Sequence, residues 1–397
     1  MTITPFISLF FFILLFIYSF NYYSKKISFL KISHIYILLL IHTMFSVTYY
    51  YYSLSNLADA NLYYLRDYNF DNLLKLNRIP ISSEFMVFFI RFFDLSYFHI
   101  IAPGLIFSTI GFIAILNITS IFRIYRPFNI KKLILPIIFI LSPGINFWSS
   151  WITKEVFIFL GTSFMITSLI KLSEKFTYRN VIILLLSLSL LLLIRPFWGL
   201  FIIIILFFSS FFYFVYVTKD KLFILFIYFL LSICIIFLIN IIPSIYIPEY
   251  KIEKLSIFNY QTFEYIYNYI YKRTSLESTG TLSYSYLNIN FITKIFMFLS
   301  APLKFDQLFY LILTLDNIIL LLLFIYLIYN LFSKKILIEI LNNFFIFFFI
   351  ILLFIGLIFL ASVTNNAGIA IRYKLSITPL LFVIIFYMNN YKYKVNE

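Results

Sequence analysis

Long apolar segments alternate with short polar ones along almost the whole chain. A helix needs about 20 mostly apolar residues to cross the hydrocarbon core of a bilayer, and shorter segments are tolerated where helices are broken or buried. The pattern predicts an all-α, polytopic transmembrane bundle of about 11 spans, which forms a single integral membrane domain over residues 1–397. The predicted spans are 4–23, 34–52, 97–122, 133–147, 152–170, 180–194, 197–217, 222–242, 308–331, 336–361 and 374–390.

Two of these segments, 133–147 and 180–194, are short and adjoin the breaks SPGINFWSSW and RPFWGL. Proline and glycine interrupt helices, so we expect both segments to bend or to stop part way.

Lysine and arginine cluster at every second boundary between the predicted spans. Because short loops rich in these residues stay in the cytoplasm, the N-terminus should lie outside and the C-terminus inside. An odd number of spans satisfies this arrangement. The clusters are Lys25, Lys26 and Lys31; Arg123, Arg126, Lys131 and Lys132; Lys171, Lys175 and Arg179; Lys219 and Lys221; Lys334 and Lys335; and Lys392 and Lys394.

Two longer polar connections, about 53–96 and 243–307, fall on the outer side of this topology. Within them, 84–93 and 291–303 predict short amphipathic helices in the membrane interface. The inner connections are short and no glycine-rich phosphate loop occurs, so a nucleotide-activated cytosolic substrate finds no binding domain. We therefore expect the chemistry to take place at the outer face.

Composition excludes an ordinary soluble domain, because 63% of the residues are hydrophobic, 12% are charged and the mean hydropathy is +1.01. Cys234 is the single cysteine, so a disulfide within the chain is excluded, and the three histidines lack metal-site spacing. No metal, cofactor or nucleic-acid partner is predicted.

The first apolar segment has no basic residue before it and no small-residue cleavage site after it, which predicts a retained helix.

The rarer polar residues gather at the predicted outer ends of the spans. Ionisable residues beside apolar helices usually face a polar cavity or a partner. The rarer polar residues at these outer ends are Asp59 with Arg66 and Asp67; Lys154 and Glu155 in SSWITKEVFIF; Arg195 in LLIRPFWG; the loop 276–285; and Arg372 with Lys374 in NNAGIAIRYKLS.

Each of these residues also has a structural interpretation. Arg195 could reach lipid headgroups from a helix end, and Glu155 could be a helix-start carboxylate stabilised by the helix dipole. Asp59 could cap a helix. Lys154 and Glu155 point about 100° apart on a helix, so they cannot easily share one partner. Asp316, inside a predicted span, should pair with a basic residue or line a cavity.

Two arginines and two lysines at one membrane face predict an anion site. Guanidinium groups bind phosphate through two parallel hydrogen bonds and keep their charge. The surrounding helices are rich in Phe, Ile and Leu and would contact a lipid tail, so a polyprenyl phosphate or diphosphate fits both features. We expect Arg195 and Arg372 to converge on it, with no carboxylate to neutralise them.

At these residues the chain resembles the bacterial surface-polysaccharide polymerases, which join lipid-linked O-antigen, capsule or exopolysaccharide repeats. The resemblance covers most of the chain as a pattern of short motifs, and a similar plan occurs in the wider polyprenyl-dependent membrane glycosyltransferases. The matching segments are ADANLYY, SWITKEVFIFLGTSFMITSLIKL, LLLLIRPFWGL and NAGIAIRYKLSITPLL.

The resemblance implies an inverting glycosyl transfer from undecaprenyl diphosphate on the outer leaflet of the bacterial cytoplasmic membrane. Its implied partners are undecaprenyl-diphosphate-linked glycans, a chain-length regulator and a flippase. Asp59, Glu155 and His99 are the candidates for a general base. The implied residues are catalytic Asp59, Glu155, Arg195 and Arg372, and substrate-binding Arg66, Lys154, Tyr373 and Lys374.

Three other functions stay open at this point. A glycosyltransferase that uses a polyprenyl-phosphate sugar would employ the same residues. A lipid-linked-oligosaccharide flippase should place its charges in a central cavity open to both faces, whereas these charges cluster near one face. In a non-catalytic scaffold, Arg195 and Arg372 would anchor headgroups from scattered positions facing lipid.

Overall fold

The computed structural model shows an all-helical chain, and no strand occurs among the residues it describes. The all-α prediction is therefore confirmed. The structure describes residues 4–27, 29–55, 63–64, 82–122, 130–217, 228, 290–300, 308–364 and 367–396.

We number the described α-helices in chain order. They are α1 Thr4–Lys26, α2 Ile32–Ser55, α3 Ser83–Phe92, α4 Ile101–Ile121, α5 Ile130–Leu141, α6 Pro143–Trp148, α7 Lys154–Glu174, α8 Tyr178–Ile194, α9 Pro196–Val217, α10 Phe291–Ser300, α11 Leu308–Leu331, α12 Lys334–Asn342, α13 Phe344–Val363, α14 Ala367–Lys374 and α15 Thr378–Asn396.

Seven described helices are long and apolar enough to cross a membrane. They match seven of the predicted spans, and the chain is a multi-pass membrane protein by this criterion. The full count of about 11 is not confirmed. The seven are Pro5–Lys26, Ile32–Leu54, Ile101–Ile121, Lys154–Glu174, Pro196–Tyr213, Leu311–Leu331 and Phe344–Ser362.

The other four predicted spans have different outcomes. Segments 180–194 and 374–390 correspond to the shorter apolar helices Tyr178–Ile194 and Thr378–Asn389. Segment 133–147 is divided between α5 and α6. Segment 222–242 lies almost entirely outside the described residues.

The break between α5 and α6 falls at Ser142. Its backbone is extended because Pro143 follows, and a residue before proline is disfavoured in the helical conformation. Its side chain accepts a hydrogen bond from the backbone N–H of Ile145, which caps the new helix. The expected interruption of this segment is confirmed.

Two predicted boundaries are corrected. Segment 336–361 is divided by Asn343, whose extended backbone separates α12 from α13 and whose side chain caps α13. The predicted span 97–122 begins only at Ile101, after the short 3-10 helix Leu95–Tyr97. Both segments are mostly apolar, so apolar length alone did not reveal the breaks, which fall beside the polar residues Asn343 and His99.

Helices α4 and α7 form the centre of the bundle. About 78% and 72% of their spanning windows are buried, against 17% and 22% for α1 and α2. Gly111 lets α4 approach the turn after α6, since a Cβ there would lie 1.8 Å from the Ser149 carbonyl oxygen. The low burial of α1 and α2 means that these two helices show most of their surface to lipid.

The two short helices predicted in the outer connections are present. Segment 84–93 is α3, whose Met86, Val87 and Ile90 are buried, and segment 291–303 contains α10. Most of the rest of both connections lies outside the described residues.

Candidate functional site

The corner between α8 and α9 positions Arg195. Helix α8 ends at Ile194 because Pro196 follows, and Pro196 is the first residue of α9. The sharp return of the chain requires Gly199, where a Cβ would lie 2.7 Å from the backbone nitrogen of Leu192. Arg195 is thus held between two closely packed helix ends.

Arg195 forms an ion pair with Glu155 at the start of α7, with 3.0 Å between Nη2 and Oε1. The two side chains are 18% and 7% exposed. Glu155 lies in the first turn of its helix, where the unpaired backbone N–H groups favour a carboxylate. The expectation that no carboxylate neutralises Arg195 is therefore wrong.

Both arginines lie against aromatic rings. The guanidinium carbon of Arg195 is 3.9 Å from the centre of the Tyr373 ring, and that of Arg372 is 5.1 Å from the Trp148 ring. Because Arg372 and Tyr373 are consecutive in α14, the contacts join the ends of α6, α7, α8 and α14. We call Trp148, Glu155, Arg195, Arg372 and Tyr373 the arginine cluster.

Several buried N–H donors, two of them in the arginine cluster, have no acceptor among the described residues. They are Nη1 of Arg195 and the indole Nε1 atoms of Trp148, Trp151 and Trp198. An unsatisfied buried donor costs about 1–3 kcal/mol, so native structures rarely keep several together. A ligand rich in acceptor oxygens would fit this chemistry.

Lys154 faces the first outer connection. Its Nζ donates a hydrogen bond to Ser82 Oγ at 3.1 Å and lies 5.9 Å from the centre of the Tyr63 ring. The Ser82 N–H in turn donates to the Leu193 carbonyl at 2.6 Å, next to the Arg195 corner. Lys154 and its neighbour Glu155 thus contact different partners.

Lys374 is buried and contacts α10 and α11. Its Nζ donates to Asn317 Oδ1 at 2.7 Å and to the Leu299 carbonyl at 2.9 Å. The neighbouring Asp316 attracts it electrostatically. These contacts hold α14 against the bundle.

The carboxylate of Asp316 lies inside the predicted span, as expected. Its Oδ2 accepts hydrogen bonds from Ser142 Oγ and from the Gly144 backbone N–H, each at 3.0 Å. A side chain at Gly144 would displace it, since a Cβ there would lie 2.6 Å from the same oxygen. Asp316 therefore ties α11 to the break between α5 and α6.

Some predicted site residues lie outside the described residues, namely Asp59, Arg66, Asp67 and the loop 276–285. His99 is described and exposed, just before α4. The described part of the chain contains no group of three or more His, Cys, Asp or Glu that could hold a metal.

Two residues that contact the predicted site residues were not themselves predicted: Trp148, which contacts Arg372, and Asn317, which contacts Lys374. Trp148 could have been found, because the chain has three tryptophans and this one lies in the break SPGINFWSSW. Asn317 gave no usable signal beside Asp316, since its role depends on Lys374 from a distant segment.

Comparisons with protein-family models, with curated proteins and with solved structures found no match for this chain.

Proposed function

We propose that the protein is a membrane glycosyltransferase that polymerises undecaprenyl-diphosphate-linked oligosaccharide repeats on the outer leaflet. A hydroxyl of the incoming repeat attacks C1 of the growing glycan, the bond from C1 to the diphosphate oxygen breaks, and the hydroxyl proton passes to a general base. The observation that carries the proposal is the arginine cluster at the helix ends that the basic loops predict to be outside.

The cluster has the charge that a departing diphosphate requires. Two guanidinium groups are linked through consecutive residues of α14, and guanidinium groups suit phosphate oxygens. Glu155 engages Nη2 of Arg195 and leaves Nη1 as a donor. Preorganised donors of this kind stabilise charge as it develops on a leaving group.

The contacts suggest different roles for the remaining residues. Glu155 orients Arg195 through the ion pair, and Tyr373 supports the guanidinium plane. Lys374 holds the helix that carries Arg372, through Asn317 and the Leu299 carbonyl. Lys154 and Arg66 would bind substrate from the first outer connection, and Asp59 or His99 would accept the proton.

The test replaces each arginine by lysine, which keeps the charge and loses the planar fork. Arg195→Lys and Arg372→Lys should each lower polymer formation at least about tenfold, equivalent to ~1.4 kcal/mol of transition-state stabilisation. Arg123→Lys, on the predicted cytoplasmic side, is the matched control and should change little. Polymer amount, polymer length and protein level are measured in cells.

The accumulating intermediate distinguishes the candidate functions. A failed polymerase leaves complete single lipid-linked repeats exposed at the outer face. A failed sugar transferase that uses a polyprenyl-phosphate donor leaves an incomplete glycan, and a failed flippase leaves complete repeats facing the cytoplasm. Normal polymer from both lysine variants at wild-type protein level would reject the diphosphate site and favour headgroup anchoring.

Asp59 is tested separately as the base. Asp59→Asn keeps the shape of the side chain and removes the proton acceptor, so polymer should fall by about 10²-fold or more if Asp59 takes the proton. His99→Gln is the companion variant. Full retention of polymer in the Asp59 variant, at normal protein level, would exclude Asp59 and leave His99 as the candidate base.

A further inference from the structure

A second polar site lies at the other end of α7 and α8. Lys171 follows Glu155 by 16 positions in α7, which places it ~24 Å along the helix axis. A cavity of about 450 Å³ opens there between α1, α4, α7 and α8. It is separate from the arginine cluster and lies at the end that the basic loops predict to be cytoplasmic.

The cavity concentrates positive charge. Lys26, Lys171 and Arg179 line it, from α1, α7 and α8 respectively. Lys26 and Arg179 lie close enough to Lys171 to repel it, and Glu174 is the acid that offsets part of this repulsion. Three converging cations would be stabilised by a bound anion.

The wall of the cavity contains polar side chains that are hydrogen-bonded between helices. Asn117, which is 2% exposed, accepts a hydrogen bond from the Tyr23 hydroxyl at 3.1 Å and donates one to Thr167 at 3.0 Å. These contacts tie α1, α4 and α7 together beneath the charged residues. The cavity is thus built by side-chain interactions between helices that are distant in sequence.

A smaller part of the lining is apolar and can contact a hydrocarbon chain. Ile113, Phe164 and Ile183 line the cavity, as does Tyr18 of the apolar helix α1, which is 69% exposed. Because α1 shows most of its surface to lipid, the cavity borders the bilayer as well as the predicted cytoplasmic surface. An anion with an attached acyl chain matches this lining better than a free anion.

We propose that this cavity binds the headgroup of an anionic phospholipid. The phosphate lies between Lys171 and Arg179, with Lys26 at its side, and the acyl chains lie along α1. Basic pockets between transmembrane helices on the cytoplasmic side suit such headgroups. The bound lipid stabilises the packing of α1 against α4, α7 and α8.

The experiment uses the full-length protein purified in a neutral detergent. Phosphatidylglycerol should raise the thermal unfolding temperature in a concentration-dependent way, and native mass spectrometry should show it retained. Phosphatidylcholine should do neither. The double variant Lys171→Gln/Arg179→Gln should reduce retention about tenfold or more, whereas Lys175→Gln, an exposed residue outside the cavity lining, should retain lipid as the wild type does.

Two results would overturn the inference. Equal retention of phosphatidylglycerol by the double variant and the wild type would remove the cavity as its site. Inorganic phosphate that matches the stabilisation by phosphatidylglycerol would identify a free-anion site instead. Neither result bears on the arginine cluster, so the proposed function is tested independently.

Discussion

At the scale of single residues, the ion pair between Glu155 and Arg195 is the most consequential contact. Both side chains are largely removed from solvent, and 3.0 Å separates the Nη2 atom of Arg195 from the Oε1 atom of Glu155. Loss of one member of a buried pair leaves the other charge without compensation, which costs more than the pair itself contributes. The stability of the site therefore depends on both members being present.

This dependence makes Glu155→Gln an informative variant. It should lower the free energy of unfolding by about 3 kcal/mol, the lower end of the range for a broken buried pair, because Arg195 keeps some exposure. Thermal unfolding in detergent measures the effect. The double variant Glu155→Gln/Arg195→Gln should regain part of the stability, and a single variant as stable as wild type would contradict the pairing.

The charged residues of this site could be predicted singly, whereas their contacts could not. Arg195 stands out because it interrupts a long apolar run, and Glu155 because it opens another. Their pairing depends on the side-chain geometry at the ends of two antiparallel helices, which no local pattern encodes. The contact of Arg372 with Trp148 depends on segments more than 200 positions apart in the same way.

At the scale of helices, close approach at glycine fixes how the elements meet. Gly111 of α4 faces the Ser149 carbonyl, directly after the helix that carries Trp148. The backbone at Ser149 has little freedom to move away from Gly111. This contact therefore sets the distance between α4 and the end of α6.

Gly111→Ala should therefore push α6 away from α4. We expect a loss of at least about 1–3 kcal/mol, the usual range for overpacking, together with reduced polymer because Trp148 moves from Arg372. Gly356→Ala is the matched control. Its Cβ would lie 3.0 Å from the Trp198 side chain, whereas the Cβ at Gly111 would lie 1.8 Å from a backbone oxygen. Equal unfolding temperatures for the two variants would contradict the close approach at Gly111.

Helix breaks were predictable where proline or glycine marks them. The interruption at Ser142 follows from Pro143, and the α8 to α9 corner follows from Pro196. The break at Asn343 has neither signal, because it falls at the pair Asn342 and Asn343, and Asn343 caps α13. Its cause is a side-chain hydrogen bond, which hydropathy does not record.

At the scale of the whole molecule, α7 and α8 run antiparallel, as the alternating basic clusters predict for this pair. Helix α7 begins beside the arginine cluster and carries Lys171 in its last turn, and α8 returns from Tyr178 to Ile194, directly before Arg195. The cluster and the basic cavity thus lie at opposite ends of the same helix pair. Apolar length and the distribution of Lys and Arg predicted that Lys171 and Arg179 lie at the end opposite Glu155 and Arg195, but they did not predict the cavity.

Reporter fusions measure the orientation directly. Fusions after Lys175 and after Lys335 should report a cytoplasmic location, and a fusion near Gly280 should report an external one. Gly280 itself lies outside the described residues, so the fusion also tests the segment that precedes α10. A cytoplasmic Gly280 would reverse the orientation and remove the basis for chemistry at the outer face.

The short length of α8 has a consequence for the bilayer around the site. Its 17 residues span ~26 Å, whereas a typical hydrocarbon core is ~30 Å thick. Such hydrophobic mismatch is relieved when the bilayer thins locally or when the helix end stays below headgroup level. In both cases the lipid diphosphate that we propose as the ligand of Arg195 would lie closer to the membrane midplane than the surrounding headgroups. The acyl-chain length of reconstituted vesicles should therefore change how readily that ligand reaches the protein.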